Sequence, residues 1–350
     1  MLLDMLASYE LAASLAILLG LAPIVYLLGK KWGRAAAWLS LLGASTSALL
    51  IIHVSYIVLT SYNTLLATIS FDVTSKTYGL LIYFPFYSTA LRVDLSTWTA
   101  SLVTSAMPYY PNPFDRAVTY PLFHIFQYRL IARPYYNIIP QPAFRIELPI
   151  AVSMNPLLLL PIDAGLLADG LSCPVAILIS GLGALVLLYC TKYMGDVKQP
   201  GTFYASMLLF IGGMLGVVLA GNLVLLYLFW EIVGLCSCSL IAHWYDKPEA
   251  SRAGIKAFIV TRVGDAMLLV GIALAYLNTG TLSYSQLPEA FARLPSSTLT
   301  LILLLSLGGA IGKSAQLPLH VWLPDAMEGP TTVSALIHAA TMVKAGVYLV

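Results

Sequence analysis

Eight apolar runs of about twenty residues each fill about half of this chain, and a run of that length has few folds open to it. A bilayer core is about 30 Å thick, so a helix of about 20 residues crosses it while keeping its backbone hydrogen bonds internal. The runs fall at about 9–29, 36–60, 171–191, 202–220, 222–243, 256–277, 299–320 and 331–350. Hydrophobic residues make up 59% of the 350 and charged residues 10%, against roughly 25% charged in soluble domains. The expected fold class is an all-α polytopic membrane protein of about eight transmembrane helices with an extracytoplasmic insertion.

The first run reads as a retained span rather than a signal peptide. Asp4 and Glu10 precede it and Lys30, Lys31 and Arg34 follow it, the reverse of a secretory leader. This places the N-terminus outside and the chain in the cell membrane as a multi-pass protein. The loops alternate accordingly: Lys192, Lys198, Lys247, Arg252 and Lys256 join the basic side, while the turn at Asn222 carries no charge. Between the second and third spans, 61–169 is rich in Tyr and Pro (MPYYPNPFDR, RPYYNIIPQP), which favours strands and turns. A further span near 80–107 is the alternative, opposed by Arg92 and Asp94 at its middle. Three parts follow: two helices over 1–60, the insertion over 61–169, and a membrane domain over 170–350.

Several function classes fall away. A net charge of +2 is too small to argue for nucleic acid. Cys173, Cys190, Cys236 and Cys238 all lie in apolar runs and lack the partner cluster that zinc or iron–sulfur needs. No Gly-rich dinucleotide fingerprint or nucleophile elbow is present, so no cofactor is expected on this chain.

What remains is a set of ionisable groups inside apolar runs, costly at mid-bilayer and usually facing a protein interior or a water path. Lys313 shares a face with Gln316 before Pro318, which should break or kink the helix. On one continuous helix, Ser334, His338 and Thr341 form a polar stripe with Lys344 one step round. Glu231 lies mid-span with Gly234 and Cys238 on its stripe, small residues that admit a neighbouring helix. Desolvation works against a bare carboxylate there, and the natural counter-charge is Lys313. That pair is either a static brace or a switch whose separation controls the lysine's hold on a proton. Arg262 and Asp265, at i and i+3, suit an intrahelical salt bridge. His53 and His124 read as incidental. His320, with His243, lies near a helix end where it could admit a proton, and His338 suits a relay.

LYLFWEIVGLCSCSLIAHWY, KAFIVTRVGDAMLL and GGAIGKSAQLPLHVWLPDAMEGPTTVSALIHAATMVKAGVYL closely resemble the antiporter-like subunit L family of NADH-quinone oxidoreductase (respiratory complex I; subunit 5 in mitochondria). The last block is also similar to the corresponding antiporter-like subunit of Mrp-type cation/proton antiporters, including a lysine where Lys344 stands. The resemblance runs from about Asp169 to Val350. It implies the first of two inverted five-helix repeats, with Glu231 as the fifth-span carboxylate, Lys313 as the lysine of the broken seventh span, His338 as the eighth-span relay and Asp265 as the sixth-span acid. It implies proton movement to Lys313 and on through His338, within an assembly of other membrane subunits, with sodium as the alternative ion. The family continues through a second repeat and a lateral helix, so the lysine that completes the path is expected from another chain, from a split gene, or from the rest of a longer protein of which this is a fragment. The competing expectations are an Mrp-type antiporter subunit and a non-transporting scaffold.

Overall fold

The computed structural model describes residues 2–63, 67–72, 77–84, 89–94, 99–104, 144–146, 165–195, 197–339 and 341–350. The motifs at 107–116 and 133–142, and His124 with them, lie outside the described residues. The chain divides into two compact units, Tyr56–Ala143 and the remainder. The first carries strands β1 (Ala67–Asp72), β2 (Thr77–Phe84), β3 (Thr89–Asp94) and β4 (Thr99–Thr104). They form an antiparallel meander in the order β1-β2-β3-β4, with Leu81 opposite Arg92 and Leu91 opposite Leu102. The described residues between 80 and 104 therefore lie in strands rather than in a further span.

The larger unit is a helical bundle. Its helices are α1 (Leu2–Gly29), α2 (Gly33–Asn63, whose last turns enter the other unit), α3 (Ser172–Tyr193), α4 (Pro200–Leu219), α5 (Leu223–Ile241), α6 (Pro248–Thr279), α7 (Leu287–Phe291), α8 (Ser296–Lys313), α9 (Thr331–Ala339) and α10 (Met342–Leu349). Eight segments among the described residues are long and apolar enough to cross a membrane, the last being Thr331–Leu349. Their ends follow from local chemistry. Prolines open α4 and α6 at the first turn, where the missing N–H is no loss. Asn222 Oδ1 accepts the Leu225 N–H at 2.7 Å to cap α5, and Gly280, at φ +69°, closes α6 on the Tyr276 carbonyl, a conformation glycine adopts without a Cβ penalty.

Helix α4 is the core. All its residues except Pro200, Thr202, Ser206 and Leu209 are buried, as expected for a rod apolar all round. It packs against α1, α3 and α5. The most extensive seam in the bundle is α6 against α8. A Cβ at Gly264 would lie 2.6 Å from the Gly308 carbonyl oxygen and 3.0 Å from Gly312 Cα, so only glycines permit this approach. At one end of the bundle, β5 (Phe144–Ile146) pairs antiparallel with β6 (Leu166–Ala168). Gly221 N–H donates to Gly165 O at 2.8 Å, Leu223 N–H to Leu282 O at 3.1 Å and Tyr284 N–H to Gly221 O at 3.2 Å. These bonds clasp the start of α3, the α4–α5 turn and the end of α6.

Two expectations from the sequence are corrected. The run at 299–320 is helical only to Lys313, five residues before Pro318. Ser314–Pro324 continues in turns, where Trp322 Nε1 donates to Gly312 O at 3.0 Å. The run at 331–350 is two short helices rather than one, because Thr341 (φ −128°, ψ −100°) leaves the helical region. Thr341 Oγ1 donates to Leu336 O at 2.5 Å and Ser314 Oγ donates to Val343 O at 2.7 Å. The break is thus held by bonds from within α9 and from the end of α8, and no local proline marks it.

Candidate functional site

Three helices meet at a charge cluster in which Asp265 and Lys313 are buried and Glu231 and Arg262 partly exposed. Helix α8 ends on Lys313, which is fully buried, and α6 presents Asp265, 1% exposed. Lys313 Nζ lies 3.3 Å from Asp265 Oδ2. This is ion-pair distance without an aligned hydrogen bond, and Lys313 Nζ and Asp265 Oδ2 have no hydrogen-bond partner among the described residues. The other carboxylate oxygen, Oδ1, accepts the indole N–H of Trp230 at 2.6 Å. The Trp230 ring also faces the lysine, its centroid 5.9 Å from Nζ, within reach of a cation–π attraction.

Glu231, next to Trp230 on α5, pairs with Arg262 of α6. Arg262 Nε is 3.9 Å from Asp265 Oδ2, and its guanidinium lies 4.6 Å over the Phe258 ring. The cluster is therefore a row of alternating sign: Glu231, Arg262, Asp265, Lys313. The expected direct pair of Glu231 with Lys313 is not what the structure holds. Arg262 takes the glutamate, and Asp265, one helical turn further along α6, takes the lysine. A planar guanidinium suits a carboxylate better than a point-charge ammonium does, which accounts for the division. Gly234 lets the lysine in: a Cβ there would collide with Lys313 Nζ and come within 3.2 Å of Arg262 Nη2.

The remaining candidates are more dispersed. His338 is half-buried near the end of α9, its Nε2 without a hydrogen-bond partner among the described residues. Thr332 Oγ1 on the same helix is in the same state. Lys344 is exposed on α10, separated from His338 by the break. His320 is exposed, His243 packs edge-on against Phe203 at 5.1 Å, and His53 Nδ1 meets Glu10 Oε2 at 2.6 Å. All four cysteines are free thiols. Among the described residues no group of three His, Cys, Asp or Glu side chains is placed to hold a metal ion. Lys256 reaches Asp325 at 2.7 Å, joining α6 to the turn before α9.

The intrahelical Arg262–Asp265 pair expected from the spacing is present at 3.9 Å, while sequence reasoning passed over the pairing of Arg262 with Glu231 and the role of Trp230. A signal for Trp230 exists in the sequence: a buried indole N–H usually finds an acceptor, and Asp265 stands in the next span.

Residues 220–350 match the family model described as NADH:quinone oxidoreductase/Mrp antiporter, TM, and residues 156–204 match that of NADH-Ubiquinone oxidoreductase (complex I), chain 5 N-terminus. Together they take in just over half of the chain. Over residues 220–350 the chain matches the NADH:quinone oxidoreductase/Mrp antiporter family. Every residue of the buried row, with His338 and Lys344, lies inside the larger match, and 61–155 lies outside both. NADH-quinone oxidoreductase subunit L of Mycobacterium tuberculosis is 52% identical over 194 residues, 55% of this chain and 30% of the relative. NAD(P)H-quinone oxidoreductase subunit 5, chloroplastic, of Adiantum capillus-veneris is 46% identical over 195 residues, 54% of this chain and 27% of the relative. The chain thus spans about a third or less of the curated relatives it matches.

Solved structures agree on the fold. The Mrp complex from Dietzia sp. DQ12-45-1b aligns over 97% of this chain and 27% of its own, at TM-score 0.59 and 26% identity. The membrane-bound sulfane sulfur reductase, an archaeal respiratory membrane complex, aligns over 97% of this chain and 51% of its own, at TM-score 0.62 and 19% identity.

Proposed function

We propose that this chain is a proton-translocating membrane subunit of a complex I-like respiratory assembly, driven by redox chemistry held on other subunits. The observation that carries the reading is the fully buried Lys313 beside the buried Asp265 at the broken end of α8. A burial this costly is characteristic of transport sites, and interrupted helices at mid-membrane are what ion-coupled transporters use. The row from Glu231 to Lys313 supports a specific mechanism. Glu231 controls where Arg262 sits, Arg262 competes with Lys313 for Asp265, and Lys313 gains or loses its counter-charge as a result. His338, Lys344 and the groups beyond them carry the proton onward. Other membrane subunits are the partners, and the N-terminus lies on the outer side of the cell membrane with Lys30, Lys31 and Arg34 inside.

Gradient-driven antiport in an Mrp-like assembly is the second reading, favoured by the 26% identity to the Mrp structure against 19% to the respiratory one. Both readings use the same row. Proton translocation in sealed vesicles tests the assignment: Lys313→Ala and Glu231→Gln should each lower it at least about tenfold, as expected for loss of a proton-transfer group, with the chain still assembled. Near-native translocation by both variants would refute the assigned roles. Dependence on an electron donor rather than on an imposed gradient separates the respiratory reading from antiport.

A further inference from the structure

Trp230 is 1% exposed and stands immediately before Glu231 on α5. Its Nε1–H donates to Asp265 Oδ1 at 2.6 Å, while Lys313 Nζ approaches Oδ2 at 3.3 Å. The carboxylate is therefore held from two sides by unlike groups. The ammonium carries a proton it can lose; the indole N–H is a donor that does not titrate in this range. We propose that Trp230 is a positioning residue for proton transfer at Lys313, its indole N–H keeping the Asp265 carboxylate in register with Nζ while the charge on the lysine comes and goes. This inference rests on the transport reading of the same cluster.

The need for such an anchor is set by Arg262. Its Nε lies 3.9 Å from Asp265 Oδ2 and has no hydrogen-bond partner among the described residues. A guanidinium stays charged and prefers planar carboxylates. An Asp265 side chain free to turn would settle on it and leave the lysine without its counter-charge. Two consecutive residues of α5 prevent this from opposite ends of the row: Glu231 occupies the guanidinium, and Trp230 holds the carboxylate. Any movement of α5 along α6 alters both contacts together, so the indole also ties the position of Asp265 to that of Glu231.

The test compares two substitutions in the intact membrane assembly, reading the initial rate of proton translocation in sealed vesicles. Trp230→Phe keeps an aromatic ring and removes the N–H; the expected loss is about tenfold, the worth of one hydrogen bond to a charged group. Trp230→His fills less space but returns a ring N–H at similar reach, and should stay within about threefold of the native rate. A packing role alone would rank the two the other way, because phenylalanine fills the apolar space better. In an Asp265→Ala background, which removes the acceptor altogether, adding Trp230→Phe should cost less than about twofold, as expected when two residues act through one interaction.

Native rates in Trp230→Phe, a histidine variant no better than the phenylalanine one, or a full tenfold loss added to Asp265→Ala would each overturn the proposal. Native translocation by Lys313→Ala would remove the transport reading and this proposal with it. A loss at Lys313→Ala with none at Trp230→Phe removes this proposal alone.

Discussion

Replacing Asp265 by asparagine removes one charge from the buried row and little else. Lys313 Nζ lies 3.3 Å from Asp265 Oδ2; at an effective dielectric of about 20 the Coulomb attraction there is about 5 kcal/mol. The asparagine amide oxygen can still receive the Trp230 N–H and offer a dipole to the ammonium, which returns about 1–2 kcal/mol. The buried ammonium is thus left roughly 3 kcal/mol worse off, and any step that must form it slows about a hundredfold. Arg262 does not compensate, since it is cationic and remains on Glu231. The assay is the initial rate of proton uptake into sealed vesicles, normalised to the amount of assembled chain. A rate within about threefold of native would show that Lys313 does not depend on Asp265 and would refute the row as the working unit.

Gly234→Ala should place a methyl against Lys313 Nζ. We expect translocation to fall at least about tenfold, with about 1–3 kcal/mol of lost stability from overpacking, checked by vesicle assays and thermal unfolding in detergent. Tyr284, in the clasp at one end of the bundle, has its phenol pushed above the usual range by burial. A phenol raised on folding contributes stability that is fully present below the unfolded value of about 10 and is lost as pH rises above it. Thermal unfolding of the native chain should therefore weaken between about pH 8 and about pH 11 more than that of Tyr284→Phe; equal decline in both would assign the effect elsewhere.

The spans were legible because a bilayer imposes a single requirement on length and polarity, and the helices α3 to α6 begin and end within a few residues of the apolar runs, except where α6 starts earlier at Pro248. The charged residues of the cluster were also legible, since Glu231, Asp265 and Lys313 stand out against apolar neighbours. Their pairing was not. Which carboxylate meets the lysine depends on how α5, α6 and α8 are rotated about their axes, and on Gly234, Gly264 and Gly312 deciding how closely they approach. The break at Thr341 was invisible for a similar reason. Ala339-Ala340-Thr341 has no proline or glycine, and the interruption is fixed by hydroxyl bonds to carbonyls in space. Pro318 pointed to a break in the right region, but Lys313 already ends the helix before it.

The glycine seam between α6 and α8 has a mechanical consequence. With backbone against backbone at Gly264 and Gly312, and the Met267 and Leu268 side chains seated on Gly308 and Gly309, those two rods are keyed together, so the lysine and its aspartate travel as cargo on a single stiff plank. Whatever displacement drives the site must be spent at the other edge of α6, where a glutamate and a tryptophan are the hinge pins.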